Sequence, residues 1–166
     1  MQTPDVSVLL DTGEHICLDQ IYREQSVALV FLRHLGCVFC RRHVSMLKRH
    51  PELNVQFVCM ATPEEAAAFR EKQQLERPFL CDSERSLYKL FNLGRAKTAQ
   101  VIAPKVIMRS IGALRHGIGR PENDPLQLGG AFVIDTKGEI IWSHRQQDIS
   151  DLARTEDIAA ALQRAG

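Results

Sequence analysis

The strongest pattern along the chain is a stretch with no polar position. Residues 27–32, Val-Ala-Leu-Val-Phe-Leu, are continuously apolar and rich in β-branched and aromatic side chains. A run this short predicts a fully buried strand. After Arg33, His34, Leu35 and Gly36 the period changes. Cys40, Val44 and Leu47 fall at i, i+4 and i+7, with Arg41, Arg42 and Lys48 between them, which is helical spacing. A buried strand therefore runs into a glycine turn, and Cys37-Val38-Phe39-Cys40 opens a helix that ends at Pro51.

The rest of the pattern fills in around this unit. Residues 6–10 and 15–18 read as two short strands about an Asp-Thr-Gly-Glu turn, with Cys17 in the core and 19–25 as a connection. Residues 55–60 form a second buried strand, in which Cys59 is packing. Thr62-Pro63-Glu64-Glu65 is a helix start: Thr62 at the N-cap, Pro63 first in the helix and Glu65 at the capping-box position. That helix runs to about Gln74. Residues 78–81 form a short strand, and Asp82 caps a helix over 84–91 that ends near Gly94. Residues 97–119 are apolar and basic and suit one or two amphipathic helices with a break at Pro104. A polar loop over 120–127 follows, then a hairpin of 131–135 and 139–143, and a last helix capped by Thr155. Strands alternating with helices in the middle require a parallel core covered on both faces, and the hairpin adds antiparallel strands. The expected class is α/β: a central mixed sheet, helices on both faces and an N-terminal strand pair, in one domain over 1–166.

Composition narrows the class. Of 166 residues, 45% are hydrophobic and 25% charged, and the formal net charge is +1. Those figures suit an ordinary globular protein and argue against binding polyanions as its main task. No apolar run reaches the length of a membrane-spanning helix, and the N-terminus shows no basic segment followed by an apolar one. Five cysteines, not spaced as a disulfide framework, point to a reducing, cytoplasmic setting.

The chemistry concentrates at the strand-to-helix junction. The first turn of a helix offers unsatisfied N–H groups and the positive end of the macrodipole. Both favour a thiolate, and Arg33, Arg41, Arg42 and a protonated His34 or His43 would add positive charge. Cys37 is therefore the expected nucleophile. Cys40, one turn later, is placed to resolve a sulfenic acid or mixed disulfide formed on Cys37. Two plainer readings compete: a pair of buried structural thiols, and half of a zinc site. The second needs two more ligands, and Cys17, Cys59 and Cys81 stand alone in sequence.

Three pieces of the chain carry a family resemblance: Phe31-Leu32-Arg33-His34-Leu35-Gly36-Cys37-Val38-Phe39-Cys40-Arg41, Gln127-Leu128-Gly129-Gly130-Ala131-Phe132-Val133-Ile134-Asp135, and His144-Arg145. In that order they resemble the peroxiredoxin-like 2 group of the alkyl hydroperoxide reductase/thiol-specific antioxidant family, within the thioredoxin superfamily. The resemblance implies a thioredoxin-like fold and reduction of a peroxide or endoperoxide through Cys37 and Cys40. It implies an external thiol reductant of thioredoxin or glutathione type, and no cofactor, metal, nucleic acid or stable membrane insertion. Val30 and His34 stand where typical peroxiredoxins have Pro and Thr. Gly129-Gly130 stands where thioredoxins have a cis-proline. Arg145 is expected near Cys37, stabilising the thiolate and the developing alkoxide, with His34 as a weaker case and Arg120 as a further candidate. A second expectation, from a different class, is a redox-responsive binding protein whose 97–119 segment answers to the state of the dithiol.

Overall fold

The computed structural model describes residues 3, 5–97 and 124–166. Its strands are β1 (Ser7–Leu10), β2 (His15–Cys17), β3 (Val27–Phe31), β4 (Val55–Cys59), β5 (Leu80–Cys81), β6 (Gly130–Ile134) and β7 (Ile140–Arg145). Its helices are α1 (Asp19–Tyr22), α2 (Val38–Lys48), α3 (Pro63–Gln73), α4 (Ser86–Leu90) and α5 (Thr155–Ala165). The strands join in one sheet in the order β2-β1-β5-β4-β3-β6-β7. The all-apolar run takes a central place in it: β3 is buried at all five positions. It pairs parallel with β4 and antiparallel with β6. β4 and β5 are also parallel, while β1 and β7 add antiparallel strands outside them. This is the mixed sheet, with parallel centre and N-terminal strand pair, that the hydrophobic pattern predicts.

The alternation of side chains along β3 divides the core between two faces. Ala28, Val30 and Leu32 pack with Phe57, Cys59, Ala131 and Val133 on the face covered by α2, α3 and α5. Val27, Leu29 and Phe31 pack with Val58, Phe132 and Ile134 on the face covered by α1 and α4. Both sulfurs of the dithiol belong to the first face.

The local signals at α3 are realised in full. The Thr62 side chain accepts from the Glu65 N–H, and the Glu65 carboxylate accepts from the Thr62 N–H, a cap worth about 1 kcal/mol. Gln74 closes the helix in the left-handed conformation. Elsewhere the boundaries move. Residues 19–25 are not wholly a connection, since Asp19–Tyr22 forms α1. Asp82 does cap α4, its carboxylate accepting from the N–H groups of Ser86, Leu87 and Tyr88. Arg85 is left-handed at φ 60° and Asn92 at φ 53°, so the helix between them is shorter than 84–91. Thr155 is not a cap: it is the first helical residue and is buried, with Arg154 at the N-cap. Cys17 is exposed rather than core. β2 is an edge strand, and the period-2 alternation there turns Ile16 inward and Cys17 outward. Of the amphipathic stretch expected over 97–119, all but Lys97 lies outside the described residues, as does Arg120.

Candidate active site

The dithiol sits where the central strand leaves the sheet. Leu32 continues the β3–β4 ladder, its N–H donating to Val58 O at 2.9 Å. The buried Tyr88 hydroxyl, reaching from α4, donates to Leu32 O. The chain then turns through residues 33–37, closed by Cys37 N–H donating to His34 O at 3.1 Å. Arg41, on the first turn of α2, reaches back to donate to Leu35 O at 2.7 Å, and its guanidinium lies 5.7 Å from the centre of the Phe69 ring. The turn is therefore tied at its start by the sheet and at its end by the helix it opens.

Cys37 is the N-cap of α2, with extended backbone at φ −72° and ψ 125°. Its sulfur therefore sits over the open first turn of the helix. The Cys40 thiol donates to it, and the backbone N–H groups of Cys40 and Phe39 face it. The Arg33 guanidinium donates to it through Nη1 at 3.2 Å. The hydrogen bond from Cys40 is the largest influence; burial opposes it, and the Arg33 charge and the helix N–H groups reinforce it. The Cys37 thiol is brought down to about 6. Cys40 moves the other way. It is fully enclosed, and burial together with its bond to Cys37 pushes its thiol well up. The arrangement thus separates an ionised sulfur from a protonated one.

Arg33 organises both sulfurs. It is 4% exposed, an expensive place for a guanidinium unless its charge and its donors are met. Its backbone N–H donates to Cys40 Sγ at 3.2 Å. Its Nε donates to Gln127 O at 3.1 Å and its Nη2 to Pro125 O. Among the described residues no carboxylate pairs with it, and its Nη1 faces the Cys37 sulfur. Sequence reasoning counted Arg33 only as one of several nearby charges. The signal that singles it out is a lone cation directly after an unbroken apolar strand and four residues before Cys37.

The two histidines do not supply the charge expected of them. His34 is buried, and burial followed by the nearby Arg33 and Arg41 charges lowers its pKa to about 4. Burial lowers His43 likewise to about 4. Both are neutral at pH 7. Among the described residues, His34 Nδ1 and His43 Nε2 are buried without a hydrogen-bond partner. Arg145 is placed apart from the dithiol. Its Nε donates to Phe91 O at 3.1 Å, its Nη1 donates to Ser143 Oγ at 3.1 Å, and its guanidinium lies 4.8 Å from the Phe132 ring centre. Phe91 and Phe132 belong to the opposite sheet face. The structure therefore brings Cys37, Cys40, His34 and Arg33 together and does not bring Arg145 among them.

Gly129 and Gly130 permit backbone contact. A Cβ on Gly129 would lie 2.1 Å from Phe31 O, and one on Gly130 would lie 2.6 Å from His144 O. The close approach there is between β3, β6 and β7 themselves. As for metals, the described residues hold one group of three potential ligands within 4.8 Å of one another: Asp5, Cys17 and Asp19. Neither Cys37 nor Cys40 is part of it.

The chain is similar to known proteins over most of its length. The family model described as AhpC/TSA antioxidant enzyme matches residues 41–148, a span that begins directly after Cys40. Prostamide/prostaglandin F synthase of Salmo salar is 30% identical over 163 residues, covering 91% of this chain and 81% of that protein. Peroxiredoxin-like 2C of Homo sapiens is 24% identical over 164 residues, covering 89% and 73%. Among solved structures, peroxidoxin BcpB from Mycobacterium tuberculosis superposes with a TM-score of 0.69 at 17% identity over 100% of this chain and 96% of that one. The bacterioferritin comigratory protein of Xanthomonas campestris, whose structure concerns alkyl peroxide reduction, gives 0.61 at 13% identity over 97% and 92%. At those identities the structural likeness speaks for the thioredoxin-like fold alone.

Proposed function

This chain belongs to the AhpC/TSA antioxidant enzyme family, in its peroxiredoxin-like 2 group, and on that premise we propose that it is a thiol-dependent peroxidase working through Cys37 and Cys40. The observation that supports this most is Arg33. A buried guanidinium with no carboxylate partner among the described residues donates to Cys37 Sγ, while its backbone N–H donates to Cys40 Sγ.

The cycle is as follows. The Cys37 thiolate attacks one oxygen of the peroxide, the O–O bond breaks, and the departing alkoxide takes a proton to leave as an alcohol. Cys37 is now a sulfenic acid. The Cys40 thiol attacks its sulfur, the S–O bond breaks, and water leaves with the Cys40 proton, giving a Cys37–Cys40 disulfide. Two external thiols, of thioredoxin or glutathione type, restore the pair and are themselves oxidised to a disulfide. Arg33 stabilises the thiolate and then the alkoxide that replaces it. His34 takes part as a neutral imidazole whose Nδ1 has no hydrogen-bond partner among the described residues. We assign no step to Arg145.

The substrate class is a peroxide or endoperoxide. The name of the salmon relative, prostamide/prostaglandin F synthase, favours a lipid-derived one. The protein acts in the cytoplasm as a single domain. Among the described residues no helix is long and apolar enough to cross a membrane.

The test is thiol-dependent consumption of an organic hydroperoxide. Cys37→Ser abolishes turnover. Cys40→Ser leaves one attack intact and accumulates a sulfenic acid that a dimedone reagent traps. The assignment fails if Cys40→Ser loses all reaction with peroxide while Cys37→Ser still yields a sulfenic acid. One observation favours a second reading, a redox-responsive switch: Arg33 joins the dithiol to the backbone of Pro125 and Gln127. Oxidation of one equivalent without turnover, whatever thiol donor is supplied, would support the switch over the enzyme.

A further inference from the structure

Two thiols outside the dithiol also stand side by side. Cys59 on β4 and Cys81 on β5 are direct register partners on parallel strands. Partners in register point to the same face of a sheet, and both residues belong to the core face covered by α2 and α3. Neighbouring strands lie about 4.8 Å apart, within the Cα separation of about 4.4–6.8 Å that a disulfide spans. Closing the bond asks for only a small shift, and β5 is just two residues long, a short strand with little ladder to resist it. The two sulfurs differ in access. Cys59 is 0% exposed and Cys81 is 9% exposed.

We propose that Cys59 and Cys81 are a second redox-active pair, oxidised to a cross-strand disulfide by a hydroperoxide that reaches Cys81, the more exposed of the two. Cys81 attacks the terminal oxygen, the O–O bond breaks, and the alcohol leaves with the proton from the thiol. Cys81 becomes a sulfenic acid. The Cys59 thiol attacks that sulfur, the S–O bond breaks, and water leaves with the Cys59 proton. One hydroperoxide is reduced to an alcohol and two thiols are oxidised to one disulfide. External thiols that attack this disulfide restore the pair. The site is a reversible modification in the sheet, separate from the Cys37–Cys40 chemistry and independent of it.

The experiment is peptide mapping of the full chain. Wild-type protein and the Cys37→Ser/Cys40→Ser double variant are each treated with excess cumene hydroperoxide. They are then denatured, alkylated and digested without reduction. The expected result in both is a linked Cys59–Cys81 peptide, loss of alkylation at both positions, and full recovery with dithiothreitol. In Cys81→Ala, Cys59 should remain fully alkylatable after the same treatment. The proposal is overturned if both thiols are still alkylated in wild-type protein whose Cys37 and Cys40 are oxidised. It is equally overturned if Cys81 becomes sulfinic acid beside an unreacted Cys59, or if the link forms only when Cys37 and Cys40 are present. Since the double variant lacks the dithiol, these outcomes are read separately from the proposed peroxidase activity.

Discussion

Replacing Arg33 with Met tests the electrostatic account of the site most directly. Methionine keeps much of the apolar stem but removes the charge and all side-chain donors. In the folded chain the Cys37 thiol falls from 9.0 to about 6, which is about 4 kcal/mol of preference for the thiolate. The hydrogen bond from Cys40 comes first among the causes, and Arg33 is the strongest charge. A unit charge at the 3.2 Å of this contact would be worth about 5 kcal/mol at an effective dielectric of 20, an upper bound given the opposing cost of burial. The share assigned to Arg33 is about 1.4–2.7 kcal/mol, which raises the Cys37 midpoint by about one to two pH units. At pH 7 the thiolate fraction then drops from about 0.9 to about 0.1–0.5, and the rate of alkylation at Cys37 falls about two- to ten-fold. At pH 9 the two rates converge. The assay is the pH profile of monobromobimane labelling at Cys37, read by mass spectrometry, with circular dichroism to establish that the variant is folded. Arg33→Lys retains the charge without the planar fork and should give an intermediate midpoint. A folded Arg33→Met chain with the wild-type midpoint would refute the reasoning.

Three further outcomes follow from the same geometry. Cys40→Ala removes the hydrogen bond that ranks first at Cys37, so its labelling midpoint should rise further than that of Arg33→Met. Gly129→Ala would drive a Cβ to 2.1 Å from Phe31 O, forcing β3 and β6 apart. Urea denaturation should show a loss of about 3 kcal/mol, and a loss under about 0.5 kcal/mol would mean the strands adjust without strain. The third concerns acid. His34 and His43 fall from 6.5 to about 4 on folding, so the unfolded chain takes up their protons first as pH drops. Stability is full above about pH 6.5 and declines toward pH 4, by about 3 kcal/mol for each histidine. Urea midpoints across that window should fall, and His43→Leu should flatten the slope.

Much of this was legible in the sequence where one cause dominates locally. The apolar run at 27–32, the Thr62-Pro63-Glu64-Glu65 start and the change of period at Cys40 each have a single physical reading, and the structure follows them. What was not legible depended on neighbours distant in sequence. Cys17 looked like core because residues 15–18 are mostly apolar, and only its place on an edge strand turns it outward. The charge expected of His34 required exposure, which the closure of residues 33–37 against the sheet removes. Arg145 sits at the end of β7, opposite Gly130, and the parity of that register sends it to the aromatic face. A shift of one residue would have sent it to the other, and no local signal sets that parity.

The opposite behaviour of the two sulfurs follows from where one proton is held. Arg33 donates to both, through its side chain to Cys37 and through its backbone to Cys40, so its presence alone does not choose between them. The choice comes from position. Cys37 stands at the N-cap, where the N–H groups of Phe39 and Cys40 converge on it, while Cys40 lies inside the first turn, where burial outweighs the backbone N–H groups of Arg33 and His34 that face it. Once Cys37 is ionised, it accepts the Cys40 proton as a hydrogen bond, and a second ionisation would set two negative sulfurs in contact within the core. Cys40 therefore keeps its proton while Cys37 attacks. Oxidation of Cys37 to a sulfenic acid removes that negative charge, and with it the main electrostatic objection to ionising Cys40. The resolving step becomes accessible only after the first has occurred, and the proton held at Cys40 leaves with the hydroxyl it converts to water.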